Sequence, residues 1–285
     1  MSPKKRQSKL KHPTNKRSRR RKGNRPEFTT ERGIAKRWKE GRGKGEGRDY
    51  FPWFLVREFS SRGYRVMTMS AKFLRVIHLF STLEWLVFLL LEADPDIISL
   101  KEQFPLDRDQ TRAIAKMLKI KRHPRTYGTD VVVTTDFLVE VRTATGTVKW
   151  AIAVKWSKDL RDRRVVEKLQ IEQAYHAARG TLFKIMTERD VPRELVKNLA
   201  IVRSMLRPGS MMDISDAAIT AADAIMRPQL GRAVWGPMCV GCDVALQLKP
   251  GTSARIAKFQ IASRSWAVDL TQPLMSRLPF RMLSQ

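Results

Sequence analysis

The chain has 285 residues, of which 55 are Lys or Arg and 28 are Asp or Glu, so its formal net charge is +27. Apolar residues make up 42% of it and charged residues 29%, which provides enough apolar surface for a packed core and excludes a chain that is disordered throughout. The length predicts two modest domains, and the positive charge predicts nucleic acid as a partner.

Membrane and secreted proteins are also disfavoured. The longest wholly apolar run, residues 85–91, is too short to span a bilayer, and the first residues lack the apolar stretch of a signal peptide. Two cysteines exclude a disulfide scaffold and favour a reducing compartment. We therefore expect a cytoplasmic protein that has no membrane partner.

The first segment is the most basic one. Residues 1–25 contain 12 Lys and Arg and no Asp or Glu, so they cannot bury apolar surface and are expected to be disordered when free. We assign residues 1–37 to a disordered basic arm that contacts DNA, with a solubilising or targeting tail as the alternative. The glycine-rich stretch 41–47 is predicted to be a flexible linker, because it lacks the spacing of a phosphate-binding loop.

Periodicity and turn residues predict alternating helices and strands in the middle of the chain. The main order is helix, three strands, helix, strand, which indicates an α/β fold with a mixed sheet. The elements are a buried helix at 81–93 stopped by Asp94-Pro95, strands at 97–104, 131–141 and 148–156, a helix at 162–179 closed by Gly180, and a strand at 181–187.

A small amphipathic helix is predicted between the first two strands, at 111–120. Its apolar residues recur at helical spacing, which indicates one face turned towards the core. The residues expected to face inward are Ala113, Ile114, Met117 and Leu118.

Two of the strands carry a carboxylate and a lysine that are expected to meet. Residues two apart share a face of a strand, so Asp136 lies on one face with Leu138, and Lys155 lies on an otherwise apolar face of the next strand. If the hairpin brings these faces together, the two charges are neighbours, and lysines with apolar surroundings tend to be paired or functional. Glu84 in the apolar helix and Glu172 in the later helix complete the candidate set.

These residue types suit phosphodiester hydrolysis, which requires negative charge to be stabilised and water to be activated. Carboxylates from two elements can hold Mg²⁺, which prefers oxygen ligands, and the ion acidifies water and neutralises phosphate oxygens. A nearby lysine can orient the nucleophile or stabilise developing charge. Taken alone the set is a weak signal, because many α/β domains contain one by chance.

Each candidate also has a structural interpretation. Glu84 follows Ser81 at the spacing of a capping box, in which it would bond the Ser81 backbone N–H. Asp136 follows two threonines and could mark a bend in the strand, while Glu172 and Lys168 could form a solvated pair on the helix. A structural role rather than metal binding is expected for two histidines, His123 and His176.

Eight sets of short strings occur in a characteristic order between residues 38 and 188. They are Gly41-Arg42-Gly43 with Tyr50-Phe51-Pro52-Trp53, Arg75 with His78, Ser81 with Glu84, Glu102-Gln103-Phe104-Pro105-Leu106, His123-Pro124, Thr134-Thr135-Asp136-Phe137-Leu138, Val154-Lys155, and Glu167-Lys168-Leu169 with Ile171-Glu172. None of them is decisive alone, but in this order the stretch resembles TnsA, the endonuclease subunit of heteromeric bacterial transposases.

The resemblance implies an endonuclease domain at 38–188 with a restriction-endonuclease-like core in the order α-β-β-β-α-β. It implies that Glu84 and Asp136 bind the metal, that Lys155 is the catalytic lysine and that Glu172 lies in or beside the site. The expected reaction is hydrolysis at the 5′ ends of a transposon in a bacterial cytoplasm, with Mg²⁺ as cofactor and Mn²⁺ as its substitute. The expected partners are DNA at the transposon ends, a TnsB-type transposase that cuts and joins the 3′ ends, and a TnsC-type AAA+ regulator.

One position departs from the superfamily pattern, which has Glu or Gln two residues before the lysine. Here that position is Ala153, which supplies no side-chain oxygen. The metal shell would then use water, a backbone carbonyl such as that of Val154, or another acid such as Glu140. We expect cleavage to survive with a higher Mg²⁺ requirement, because the two acids and the lysine are retained.

The last part of the chain, 189–285, is expected to be a partner-docking domain. Helices are predicted at 191–206 and 214–226, and 256–270 has strand composition. This pattern supports a small mixed α/β domain, and the resemblance implies a winged-helix-like module that docks the AAA+ partner. Acidic N-caps are expected for the two helices, at Asp190 and Asp213.

Cys239 and Cys242 form a Cys-x-x-Cys motif in this last part. A structural zinc site needs four ligands, and the histidines lie far upstream in the chain. Zinc binding and redox chemistry are therefore disfavoured at this motif.

Two other functions remain open. The basic composition also suits a non-enzymatic nucleic-acid-binding protein, although binding alone does not need a carboxylate beside a phosphate path. The third interpretation is a TnsA-like subunit that is retained as a weak or inactive scaffold, with Ala153 as the trace of lost cleavage.

Overall fold

The computed structural model describes residues 26–59, 64–276, 278–279 and 281–283. The most basic part of the predicted arm, residues 1–25, lies outside the described residues. A four-stranded sheet organises the chain between residues 97 and 186, and helices dominate after it. Within the described ranges, no helix is both long and apolar enough to cross a membrane.

The elements are numbered in chain order. The strands are β1 (Val66–Ser70), β2 (Arg75–Leu79), β3 (Ile97–Pro105), β4 (Arg125–Thr126), β5 (Thr129–Asp130), β6 (Thr134–Thr143), β7 (Gly146–Val154) and β8 (Leu182–Met186). The α-helices are α1 (Glu31–Lys39), α2 (Thr82–Ala93), α3 (Arg108–Met117), α4 (Arg163–Ala177), α5 (Arg193–Val202), α6 (Asp216–Met226), α7 (Trp235–Ala245) and α8 (Thr252–Ala262). Short 3-10 turns occur at Glu27–Thr29, Gly47–Asp49, Val56–Glu58, Ser157–Arg161, Glu188–Asp190, Arg203–Leu206 and Arg227–Gln229.

The central sheet has the strand order β3-β6-β7-β8. The first three strands are antiparallel neighbours, and β8 runs parallel to β7 after the crossover through α4. The predicted order of helix, three strands, helix and strand is therefore confirmed, and so is the mixed α/β sheet. Two short hairpins, β1-β2 and β4-β5, were not predicted.

Helix α2 covers part of this sheet because its apolar residues are buried almost completely. Leu83, Val87 and Phe88 join one core cluster with Phe137 of β6 and Ile152 of β7. The Ser81 hydroxyl accepts the Glu84 backbone N–H at 3.0 Å and begins the helix, as predicted. The helix ends before Pro95, which disfavours helical backbone in the preceding residue.

The inserted helix α3 turns a different face inward from the predicted one. Thr111 and Ala115 are buried, whereas Met117 is 67% exposed and Leu118 is 38% exposed. The Thr111 hydroxyl lies 3.0 Å from the buried His123 ring, and Ile114 packs inward against an apolar cluster, as predicted. The predicted inward face was thus wrong for Met117 and Leu118, and also for Ala113, which is exposed.

The folded region begins before residue 38. Helix α1 is held by Arg37, whose guanidinium donates to the Trp53 carbonyl at 2.6 Å and to Glu58 at 3.1 Å. Arg42 donates to the same carbonyl and to the same carboxylate. Residues 26–37 therefore belong structurally to the folded region that follows them, and the assignment of the whole stretch to 37 as a disordered arm is corrected.

The C-terminal part is helical in the described residues, with α6, α7 and α8 sharing one apolar core. The strand predicted at 256–270 was wrong, because α8 occupies Thr252–Ala262 and buries side chains at helical spacing. Beyond α8, the described residues form an isolated bridge between Val268 and Met282, so the strands of a winged-helix wing are not seen there. The predicted N-caps Asp190 and Asp213 are replaced by Pro192 and Ser215.

Candidate active site

The strand pair β6-β7 brings Asp136 and Lys155 together, as the sequence predicts. The Lys155 ammonium donates to Asp136 Oδ2 at 2.8 Å and to its neighbouring Val154 carbonyl at 2.7 Å. The same Asp136 oxygen accepts the Val154 backbone N–H at 2.7 Å. The Asp136 carboxylate and the Val154 carbonyl, which were predicted to bind the metal, therefore both contact the Lys155 ammonium.

Glu84, in the first turn of α2, lies close enough to Asp136 and Lys155 to interact electrostatically with both. One of its oxygens accepts the Phe80 backbone N–H at 2.9 Å and lies 3.2 Å from the Gln103 amide nitrogen. The other oxygen accepts the Ser81 hydroxyl. The capping interpretation is correct for Ser81, but the Glu84 carboxylate bonds the N–H of Phe80 rather than that of Ser81.

Glu172 projects from α4 and is almost fully buried, at 2% exposure. Its Oε1 atom has no hydrogen-bond partner among the described residues. A buried carboxylate oxygen without a partner is costly, so a structural role alone does not explain this residue. The interpretation of Glu172 and Lys168 as a solvated surface pair is wrong, because Glu172 is inside.

The acidic groups of the site repel one another. Burial, together with the charge of Asp136, raises the pKa of Glu84 to about 7. The same two causes raise the pKa of Glu172 to about 7. Burial acts to lower the pKa of Lys155, but the Asp136 carboxylate outweighs it and the pKa is raised, so Lys155 is a cation at neutral pH. Asp136 and the partly ionised Glu84 and Glu172 together outweigh the charge of the Lys155 ammonium, so the site favours an additional cation.

Gln103 is a site residue that we did not predict as a candidate. It lies opposite Asp136, between the ladder pairs Glu102–Phe137 and Phe104–Thr135. Its φ of 48° is in the left-handed region, and its carbonyl accepts the Trp53 backbone N–H at 3.3 Å instead of continuing the ladder. Strained backbone that is held by its surroundings is common at functional sites. The sequence signal was its place in the Glu102-Gln103-Phe104 string.

A buried ion pair holds β3 next to Gln103. The Arg75 guanidinium binds both oxygens of Glu102, at 2.9 and 2.6 Å, and Glu102 also accepts the His78 backbone N–H. The Tyr50 hydroxyl donates to the Glu102 carbonyl at 3.0 Å. Several residues that carry the family resemblance, such as Arg75 and Glu102, therefore hold β3 in place beside the site and are not themselves site residues.

His176 and His123 have structural surroundings, as expected. His176 is buried, its Nε2 lies 2.7 Å from the Thr135 hydroxyl, and burial together with Arg179 lowers its pKa to about 4. His123 bonds the Thr111 hydroxyl and the carbonyl of Pro124 through its two ring nitrogens. Neither ring is available as an obvious ligand for the site.

The donor set fits a hard divalent cation. Within the described residues, no three His, Cys, Asp or Glu side chains are grouped so that they could hold an ion by themselves. A set built from Asp136, Glu84 and the Val154 carbonyl consists entirely of oxygens, which Mg²⁺ prefers. The unpartnered Oε1 of Glu172 is a further oxygen that a cation or its water could satisfy.

Residue 153, where the sequence departs from the superfamily pattern, is fully buried. Ala153 lies on β7 and supplies no side-chain oxygen to the site. Glu140, the alternative acid, is 3.3 Å from Lys149 farther along the β6-β7 hairpin. Because Glu140 is four residues from Asp136, about 13 Å along an extended strand, the two carboxylates cannot share one ion.

Cys239 and Cys242 lie on α7 and are buried in the C-terminal core. Burial raises the pKa of the Cys239 thiol to about 12, so it is protonated at neutral pH. A protonated buried thiol is a poor nucleophile and a poor metal ligand, and both cysteines act here as packing residues.

Comparisons with known proteins agree with this geometry. Residues 94–188 match the family model described as TnsA-like endonuclease N terminal, a segment that contains Asp136, Lys155 and Glu172. The chain is 41% identical over 166 residues to the transposon Tn7 transposition protein TnsA of Escherichia coli. That alignment covers 58% of this chain and 60% of the relative, which is less than two thirds of the relative's length.

Proposed function

Because residues 94–188 match the family model of TnsA-like endonucleases, we propose that this chain is the DNA-cleaving subunit of a transposase. In this proposal it hydrolyses phosphodiesters at the 5′ ends of a transposon in a Mg²⁺-dependent reaction. The observation that carries the proposal is the Lys155 ammonium, bonded to Asp136 and to the Val154 carbonyl beside two buried carboxylates. The net charge of +27 suits a DNA substrate.

Asp136, Glu84 and the Val154 carbonyl would hold the divalent ion. When bound, the ion would supply positive charge for the phosphate oxygens and lower the pKa of water. Without such a cation, the excess of carboxylates would repel the phosphates of the DNA backbone. An ion held by Asp136 and Val154 would compete with the Lys155 ammonium for the same two oxygens.

Lys155 would act as a charge stabiliser. Its raised pKa keeps the amine protonated, so it can donate to the phosphate oxygens as negative charge develops but cannot serve as a base. Glu172 Oε1 is better suited to accept a proton from the attacking water, because its pKa of about 7 places it near neutrality.

The partners belong to the same proposal. The relative is a transposition protein by name, and cleavage at the 5′ ends requires a second activity for the 3′ ends. We therefore include a TnsB-type transposase and a TnsC-type AAA+ regulator, with the helical part after residue 189 as the docking region for the regulator.

The test is strand cleavage in a reaction reconstituted with both partners and transposon-end DNA. The full chain is expected to cut the 5′ ends with Mg²⁺ and to stop in EDTA, and Lys155→Met is expected to abolish the cut. Lys149→Met is the matched control, because Lys149 lies on β7, the strand that leads to Lys155, but pairs with Glu140 at the surface. Wild-type cleavage by Lys155→Met would refute the assignment.

Metal binding gives a second readout that does not depend on cleavage. Lys155→Met removes the ammonium that contacts the Asp136 carboxylate and the Val154 carbonyl. The affinity for Mn²⁺, measured by electron paramagnetic resonance, should therefore be at least as high as that of the wild type, while cleavage is lost. Asp136→Asn should weaken the same binding. Equal Mn²⁺ affinity in all three proteins would contradict the metal site.

The buried Ala153 favours one alternative, a subunit that binds DNA and its partners without cutting. Transposition products separate the two functions. Cutting of both strands gives simple insertions, whereas loss of the 5′ cut alone gives cointegrates.

A further inference from the structure

Residues 116–130, which we call the basic hairpin segment, lie outside the candidate active site. This segment contains the hairpin β4-β5, whose two-residue turn is Tyr127-Gly128. Both turn residues have left-handed backbone, with φ of 49° and 86°. Glycine adopts this conformation freely, but a bulky aromatic residue does so at a cost. The cost is accepted here in a turn that leaves Tyr127 59% exposed.

Hydrogen bonds and ion pairs fix the base of the hairpin β4-β5. The two ring nitrogens of the buried His123 bond the Thr111 hydroxyl and the Pro124 carbonyl, and the Val131 N–H donates to the same carbonyl at 3.0 Å. Asp130 accepts from Arg112 at 2.9 Å and pairs with Arg125 at 3.1 Å. The turn Tyr127-Gly128 is therefore the tip of a hairpin whose base is fixed.

The charge of this segment is one-sided. Residues 116–130 include five Lys and Arg and one acid, Asp130, which is paired with Arg112 and Arg125. Apart from Arg125, these cations are exposed and form no salt bridge with a described residue. They are Lys116, Lys119, Lys121 and Arg122. An exposed aromatic residue among unneutralised cations is the combination that binds nucleic acid backbones and bases.

The segment is connected to two of the elements that carry active-site residues, β6 and α4. Strand β6, which carries Asp136, begins four residues after Asp130, so the hairpin ends within about 20 Å of Asp136 even if the chain is fully extended. Arg164, in the first turn of α4, donates to the His123 carbonyl at 3.3 Å. Glu172 lies farther along the same helix.

We propose that the basic hairpin segment binds the DNA duplex beside the cleavage site. Its free lysines and Arg122 contact phosphates, and Tyr127 packs against a sugar or a base. This inference rests on the proposed nuclease function and adds a surface that positions the substrate. A protein partner is the competing occupant, because Met117 and Leu118 are exposed nearby.

The experiment measures binding of the full chain to a fluorescein-labelled DNA duplex of arbitrary sequence at several salt concentrations. The test variant is Lys119→Ala with Lys121→Ala and Arg122→Ala. Each lost phosphate contact lowers the slope of log affinity against log salt by about one, so the slope should fall by two to three and affinity by about tenfold. The control variant removes the same charge from the C-terminal part, at Arg207, Arg232 and Lys249, which are exposed.

Tyr127→Asn tests the aromatic ring separately. Asparagine tolerates left-handed backbone, so the turn is kept while the ring is lost. The affinity should fall about fivefold without a change of salt slope, and Tyr127→Phe should bind like the wild type. Wild-type affinity of Tyr127→Asn would overturn the role of the ring.

Equal affinities and slopes for the triple variant and its control would overturn the proposal. Unchanged DNA binding together with lost cleavage in the presence of both partners would assign the surface to a protein instead. These outcomes differ from a failure of the nuclease function, because duplex binding is measured without cleavage and the wild-type chain reports cleavage independently.

Discussion

The active-site region and the C-terminal helical region bury carboxylates in different ways. In the C-terminal region, the two oxygens of Asp243 accept the backbone N–H groups of Gly251 and Ser253, at 2.6 and 2.7 Å. This carboxylate is satisfied and begins α8. In the active-site region, Glu172 leaves Oε1 without a partner among the described residues and lies near the charge of Asp136.

The difference separates structural acids from functional ones. A buried carboxylate that is fully hydrogen-bonded contributes to the fold, and its removal costs stability. A buried carboxylate that faces like charges with an unpartnered oxygen costs stability while it is present, so the reason for keeping it is chemical. Burial alone does not distinguish Asp243 from Glu172, but the hydrogen bonding of their two carboxylates does.

The largest expected effect compares Asp136→Asn with Asp243→Asn. Asp136→Asn removes the charge that pairs with Lys155, so cleavage should fall by on the order of a thousandfold. The melting temperature should change little, because the same substitution relieves the repulsion of Asp136 with Glu84 and Glu172. Asp243→Asn should keep cleavage but lower the free energy of unfolding by about 1–2 kcal/mol, because an amide nitrogen then faces a backbone N–H. Nicking assays and thermal unfolding of the same preparations measure both.

The comparison would fail if the two variants exchanged their effects. An Asp136→Asn protein that is strongly destabilised would make Asp136 a structural acid. A loss of cleavage in a stable Asp243→Asn protein would show that α8 takes part in the reaction.

The second prediction concerns stability against pH in EDTA. Glu172 has a native pKa of about 7 and an ordinary value of 4.5, so the native state binds more protons than the unfolded state between these values. The free energy of unfolding therefore falls as pH rises through this window. Glu172→Gln removes the penalty and should stabilise the protein by on the order of 2–3 kcal/mol near pH 8, but hardly near pH 5.

Glu102→Gln is the control for this effect. Glu102 is equally buried but is paired with Arg75, so its loss should destabilise the protein by about 3–5 kcal/mol at both pH values. Calorimetry at the two pH values distinguishes the variants. Destabilisation of Glu172→Gln at both would place Glu172 among the structural acids.

The sequence predicted the parts of the site that depend on local geometry. The alternation of side chains and the turn at Gly146 fix the register of β6 and β7, and this register brings Asp136 to Lys155. No local rule relates α2 to the sheet, so the sequence marked Glu84 only as an acid inside an apolar helix, and its role as a metal ligand was implied by the family resemblance. The left-handed backbone of Gln103 has no local signal, because the neighbouring residues are those of an ordinary strand.

The wrong predictions have physical reasons as well. The stretch 256–270 has strand composition, but its buried residues recur at the spacing of a helix, and Asp243 caps that helix across a turn. The spacing of the residues that the structure buries corresponds to the helix, whereas the composition of the stretch does not. In α3, the contact of Thr111 with His123 turned a polar residue inward, and such a tertiary contact cannot be found from periodicity.

The smallest effect is expected at Gln103, which lies between structural and functional roles. Its amide nitrogen is 3.2 Å from Glu84 Oε2, and its backbone is strained. Gln103→Leu keeps the size but loses the hydrogen bond, so the Mg²⁺ concentration for half-maximal cleavage should rise and the rate should fall about 10- to 100-fold. Gln103→Gly also loses the amide but relieves the backbone strain.

The two variants separate the side chain from the backbone. If Gln103 positions Glu84, both variants lose cleavage to a similar extent, although Gln103→Gly should unfold at a temperature equal to or above that of Gln103→Leu because glycine accepts a φ of 48°. If the residue matters for its backbone alone, Gln103→Gly cuts like the wild type. In that case the hydrogen bond to Glu84 belongs with the satisfied structural contacts of the C-terminal region rather than with the chemistry of the site.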